Sequence, residues 1–201
     1  MKTKFIVIEG IDGAGTTTQA KLLSEWLVSR GRRCALTSEP TKGPVGALLR
    51  QILSGSVPTP DNDVMALLFA ADRIDHLDCE VLPALEAGSD VVSDRYYHSS
   101  FTYQSLQGDL EWIRELNSRA RAPDVTYILD LPAELAARRR RKERTSEELY
   151  ERDSTQQKLE EAYRRLSDWM QGELILMLDG SLDIQAVHRA ITADLENRLT
   201  E

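Results

Sequence analysis

The segment FIVIEGIDGAGTTTQ, Phe5 to Gln19, constrains the fold more than any other part of this 201-residue chain. A short β-favouring run leads straight into a glycine turn, and helical spacing starts directly after it. Strand, tight turn and helix in that order make a βα unit. The turn fits G-x-x-x-x-G-K-[ST] at every fixed position but one. Gly10 and Gly15 take the glycine places, and Thr17 takes the place of the metal-binding hydroxyl. Thr16 stands where the pattern has lysine. A glycine turn ahead of a helix presents backbone N–H groups to an anion, and the helix dipole adds to them. Gly10, Gly13, Ala14, Gly15, Thr16, Thr17 and Thr18 are therefore the candidate phosphate-binding residues.

The rest of the chain repeats the alternation. RCALTSEP (33–40), DVVSD (90–94), VTYILDL (125–131) and ELILMLD (173–179) read as four more strands. Helical patterns are predicted at about 44–54, 62–87 with a break near Pro83, 109–119, 133–143, 153–171 and 183–198. Strands alternating with helices imply an α/β parallel sheet covered on both faces. With no repeat and no low-complexity linker, residues 1–201 are expected to form a single domain.

A net charge of −8 argues against a nucleic-acid or anionic-membrane surface, which needs a broad basic face. The N-terminus lacks a signal-peptide pattern, and no apolar run approaches ~18 residues, so no membrane partner is expected. Two cysteines, Cys34 and Cys79, make no disulfide framework and point to a reducing, cytoplasmic setting.

No nearby lysine replaces the missing one. Lys21 lies five residues along the helix, turned some 140° away and about 7–8 Å further down the axis. Lys2 and Lys4 sit at the far end of the first strand. Asp94, at the carboxyl end of the third strand, has the usual position of a Mg²⁺-associated carboxylate, often acting through water. Arg95 would face the same crevice, where its planar fork can hold a phosphate. Phe69 and Arg73 share a helix face. They read either as a core aromatic with a solvated arginine or as a pair that stacks on a base and hydrogen-bonds it. RRRRKER (138–144) reads as a solvated helix surface, a nucleic-acid patch, or the start of a mobile lid at about 138–152 whose arginines stabilise phosphoryl charge. His76, His98 and His188 form no metal or triad pattern.

FIVIEGIDGAGTTTQ, TSEP, LLFAADRIDH, SDRYYHSSFTYQ and APDVTYILDL, in that order, resemble the thymidylate kinase family. The resemblance covers roughly residues 4–170. It implies the three-layer P-loop NTPase fold, a five-stranded parallel sheet in the order 2-3-1-4-5, and phosphoryl transfer from ATP to dTMP. It implies ATP on the Gly10–Thr18 loop, with Mg²⁺ on Thr17 and Asp94 behind it. It implies dTMP held by Asp12, Pro40, Phe69, Arg73, Arg95, Ser100, Tyr103 and Gln104, with Lys42 as a further phosphate contact. The lid arginines, Arg141 and Arg144 among them, join Asp12 and Arg95 as candidate catalytic residues. The family also implies a homodimer, for which the 62–87 region offers an amphipathic surface.

Thr16 departs from the family pattern. So do Ser38, where Arg-Glu-Pro has its arginine, and Leu149-Tyr150-Glu151 in place of Arg-Phe-Glu. They leave two other readings open: a nucleotide-binding regulatory protein without turnover, or a related small-molecule kinase with another acceptor or donor. No Asn-Lys-x-Asp pattern for guanine is present.

Overall fold

The computed structural model describes residues 3–143, 149–150 and 153–200. Its strands are β1 (Phe5–Gly10), β2 (Cys34–Ser38), β3 (Asp90–Asp94), β4 (Val125–Asp130) and β5 (Ile175–Asp179). They form one sheet in the order β2-β3-β1-β4-β5, every neighbouring pair parallel, as the resemblance implied. The helices are α1 (Thr16–Ser29), α2 (Pro44–Leu53), α3 (Asn62–His76), α4 (Leu82–Glu86), α5 (Tyr97–Tyr103), α6 (Leu110–Leu116), α7 (Ala133–Glu143), α8 (Asp153–Arg164), α9 (Leu166–Trp169) and α10 (Ile184–Thr200).

The three central strands are buried along their length, except at the terminal Asp94 and Asp130. That matches their near-continuous apolar sequences, because helices cover both faces of the sheet. Adjacent residues of β4 show the two faces. Tyr127 donates from its hydroxyl to Asp194 on α10 at 2.7 Å, while Thr126 meets His98 on α5 at 3.3 Å. The main core joins Phe5, Ile6, Ile8, Leu23, Val92, Ile128 and Leu195. Burying each such apolar side chain contributes roughly 1.5–3 kcal/mol. A second cluster, Leu49, Ile52 and Met65, lies between α2 and α3, with Phe69 and Leu149 packed against it.

Register positions the site. Ile8 pairs with Asp94, and Gly10 pairs with Leu129. The glycine turn and the Asp94-Arg95 step therefore emerge together at the carboxyl edge of the sheet, where open α/β sheets bind ligands.

Two expectations change. The predicted break near Pro83 is a widened π-type turn over Leu77–Val81, after which α4 begins with Pro83 in its first turn. Proline has no N–H to donate, and its ring crowds the carbonyl four residues back; a wider turn just upstream relieves both problems. Residues 97–103 form α5, which no periodicity announced, because Tyr97, His98, Ser100, Phe101, Thr102 and Tyr103 are all buried. Among the described residues no helix is long and apolar enough to cross a membrane.

Candidate active site

The turn between β1 and α1 borders a cavity of ≈ 940 Å³. Its backbone needs glycine. Gly13 has φ +90, and a Cβ there would lie 2.8 Å from the Ala136 carbonyl oxygen on α7. Gly15 caps α1 at φ +96. Helix α1 opens at Thr16, so the first N–H groups of the helix have no intrahelical partner and face the turn. Thr16 itself is buried, while Thr17 and Thr18 are exposed. All seven loop candidates except Gly10 line the cavity.

Thr17 donates from Oγ1 to Asp94 Oδ2 at 2.5 Å. The other carboxylate oxygen, Asp94 Oδ1, is buried without a partner among the described residues. An unsatisfied buried carboxylate oxygen calls for a cation or water. Hydroxyl and carboxylate thus fit Mg²⁺, an ion that keeps several waters and shares the substrate's phosphates. Among the described residues no group of three or more His, Cys, Asp or Glu side chains could hold a metal by itself.

Arg95 and Asp12 meet on the wall of the cavity. Arg95 has φ +72, a left-handed backbone at a non-glycine residue. Such strain, of order 1–3 kcal/mol, concentrates at functional sites. Its guanidinium donates to Asp12 Oδ1 at 2.6 Å, Ser99 Oγ at 3.2 Å and the Tyr163 hydroxyl at 3.3 Å. Burial alone would lower its pKa. The carboxylates of Asp12 and Glu9 push the other way, and the guanidinium is held well above the ordinary arginine value. Tyr103 donates to Asp12 Oδ2 at 3.2 Å. Burial pushes the Tyr103 phenol far up, so it stays a neutral donor. Beneath them the fully buried Glu9 accepts from Tyr96 N, Ser99 Oγ and the Tyr163 hydroxyl at 2.8, 2.9 and 2.8 Å.

The far end is lined by Glu39, Pro40, Leu53, Phe69, Arg73, Tyr103, Gln104 and Tyr150. Arg73 is 1% exposed. Its Nε and Nη2 donate to Glu39 Oε2 at 3.0 and 2.7 Å, and its Nη1 donates to Asn117 Oδ1 at 2.5 Å and Ser100 Oγ at 3.3 Å. Four of its five N–H donors are taken by described residues; one on Nη2 is left for the cavity. His76 Nδ1 lies 3.0 Å from Glu39 Oε1 and holds that carboxylate from the other side. Arg73 is thus a cavity residue rather than a solvated one, and Phe69 lies beside it on the same helix.

The predicted residues do not all converge. Ser100 is buried behind the wall as an acceptor for Arg73, and Ser99 takes its place on the cavity. Lys42 is exposed and outside the lining, whereas Pro40 is in it. Arg141 is exposed, and Arg144 lies outside the described residues. Arg139 and Arg140 reach the loop instead. Arg140 donates to the Asp12 carbonyl at 2.5 Å, and Arg139 donates to the Ala14 carbonyl at 3.4 Å and the Gly180 carbonyl at 2.9 Å. The spacing Ala133, Ala136, Ala137, Arg140 carried that signal: three buried alanines set the helix face on which Arg140 falls. Sequence reasoning also missed the turn after β5, whose Gly180, Leu182, Asp183, Ile184, Gln185 and Val187 wall the loop end. No short motif marks that turn.

A glycine turn, a buried arginine beside an aromatic ring, and the Arg95–Asp12 pair on one cavity at the edge of this parallel sheet fit a P-loop phosphotransferase. The family model for thymidylate kinase matches residues 8–191. The chain is 42% identical to a probable thymidylate kinase of Thermococcus kodakarensis, over 98% of this chain and 99% of the relative. It is 39% identical to one of Pyrococcus horikoshii, over 99% and 98%. A third, of Methanococcus vannielii, is 42% identical over 82% and 78%. The chain belongs to the thymidylate kinase family, whose reaction is ATP-dependent phosphorylation of dTMP.

Proposed function

We propose that the loop end of the cavity takes Mg²⁺-ATP, that the far end takes dTMP, and that the two phosphates meet at Arg95. The observation that carries this reading is that Arg95, bonded to Asp12 of the glycine turn, lines the same cavity as the loop, Phe69 and Arg73. A dTMP phosphate oxygen attacks the γ-phosphorus, the bond to the β-phosphate oxygen breaks, and ADP leaves. No protein nucleophile is required. Positioning and charge stabilisation carry the catalysis.

Each residue has a stated part. The loop amides and Thr18 bind the ATP phosphates. Thr17 and Asp94 would hold Mg²⁺, which when bound neutralises charge developing on the β- and γ-oxygens. Arg95 fixes the acceptor phosphate, and Asp12 orients Arg95 and faces the sugar. Phe69 stacks on thymine, and the open Nη2 donor of Arg73 hydrogen-bonds the base. Gln104 lies beside them, and Tyr103 crowds the sugar against a 2′-hydroxyl. The lid segment at about 138–152 supplies Arg141 and Arg144 as candidate charges for the phosphates; its first residues belong to α7, and 144–148 and 151–152 lie outside the described residues. Lys42 lies outside the cavity and would need the 39–42 segment to move to reach a phosphate.

The exposed Val64, Leu67 and Ile74 on α3 support a homodimer face. Light scattering showing a monomer at working concentration would reject it. The two free cysteines suit the cytoplasm. The acceptor is tested by a panel of dTMP, dUMP and ribo-TMP with ATP and Mg²⁺: dTMP is expected to have the highest kcat/KM. Equal rates with ribo-TMP would remove Tyr103 from its role.

A further inference from the structure

We propose that Arg139 and Arg140 are positioning residues that hold the lysine-free loop in its phosphate-binding form. The inference rests on the reading that this loop binds the ATP phosphates. Thr16 brings no charge to the loop, and neither Lys21 nor Lys4 is placed to do so. Helix α7 brings two. Arg140 Nη1 donates to the carbonyl of Asp12 at 2.5 Å, and Arg139 Nη1 donates to the carbonyl of Ala14 at 3.4 Å.

The consequence follows from the planar trans peptide. With the Asp12 and Ala14 carbonyls turned towards the arginines, the N–H groups of Gly13 and Gly15 point away from them. Alternate loop peptides are thereby fixed in one sense. A cation on each carbonyl also polarises its amide and strengthens the N–H as a donor. The fit is close. A Cβ on Gly13 would lie 3.1 Å from Arg140 Cγ and 2.8 Å from the Ala136 carbonyl oxygen. Arg140 is held in turn by Gln156, which is fully buried: Nη1 lies 3.4 Å from Gln156 Oε1, whose Nε2 donates to the Tyr150 carbonyl at 2.7 Å and Asp12 Oδ2 at 3.3 Å. Arg139 Nη2 ties the loop to the Gly180 carbonyl at 2.9 Å, so the two walls of the ATP end move together.

The test is calorimetry of the full chain with a non-hydrolysable ATP analogue plus Mg²⁺, and separately with dTMP. Arg139→Ala, Arg140→Ala and Arg140→Lys are compared with the parent, each with and without Thr16→Lys. Thermal melting checks that each variant folds, and Arg139→Lys and Arg140→Lys carry the comparison if an alanine variant does not. Analogue affinity is expected to fall roughly ten- to a hundredfold in the alanine variants. In Arg139→Ala, dTMP affinity is expected to stay within about twofold. Arg140→Lys is expected to retain more analogue affinity than Arg140→Ala, and Thr16→Lys to recover more in Arg140→Ala than it adds to the parent. Unchanged analogue affinity, equal losses for both ligands, or the same gain from Thr16→Lys in every background would overturn the inference. A parent that binds the analogue but never phosphorylates dTMP would end the functional reading and leave this comparison readable. A parent that does not bind the analogue would overturn both.

Discussion

At the Phe69–Arg73 end of the cavity, Arg73 is 1% exposed and four of its N–H donors are locked on Glu39, Asn117 and Ser100. At the glycine-loop end, the wall is turn backbone and threonine side chains, and Arg139 and Arg140 of α7 bond to the turn's carbonyls. One end is built on a locked, buried side chain and the other largely on main chain. A side-chain lock fails when any member is lost, because the partner is left charged and buried. A main-chain cradle tolerates exchange of one side chain if another group keeps the peptides oriented. On the proposed reading, the same cavity would be strict about its acceptor and still work with threonine at position 16.

The largest expected effect lies where the two ends meet. Arg95→Ala should lower kcat with dTMP by about 10²–10³, by analogy with the loss of one charge-stabilising donor. Arg95→Gly should lose as much activity while relieving the φ +72 strain, so its melting temperature should exceed that of Arg95→Ala. Retained kcat in both would remove Arg95 from the phosphate site.

The next effect separates the ends by stability. Glu39→Ala leaves the Arg73 guanidinium buried and unpaired, at a cost of about 3–5 kcal/mol, or a fall of roughly 6–20 °C in Tm. Thr16→Val, at the main-chain end, should change Tm little. Equal shifts would erase the contrast.

The smallest effect is one of pH, at the His98–Glu173 pair. Burial pushes Glu173 up, but the hydrogen bond and charge of His98, with help from Tyr97, more than offset it and leave its pKa lowered. A folded pKa below the unfolded one gives stability that is present above the unfolded value, about 4.3, and is lost as pH falls through the lower folded value. Tm of the parent should drop more steeply below about pH 4 than that of Glu173→Gln. Parallel curves would show that the pair contributes nothing.

Much of this was legible in the sequence because it is local. Short apolar runs gave the strands, and the glycine spacing gave the loop. The order of motifs gave the sheet order through the family resemblance. Helix α5 was hidden because burial on all sides leaves no periodicity in YYHSSFTY. The Glu39–Arg73 lock joins residues 34 apart, and only the fold brings them together. The four consecutive arginines concealed which of them matter, since a charge run carries no phase of its own. The buried alanines before it do, and they turn Arg140 to the loop while Arg141 faces solvent.

The most direct test of the central claim is a coupled ADP-release assay with ATP, Mg²⁺ and dTMP, run on the parent beside Thr16→Lys. The account predicts dTMP-dependent turnover by the parent, so that a loop without lysine supports phosphoryl transfer. A parent that binds both nucleotides yet stays silent, beside an active Thr16→Lys variant, would contradict it.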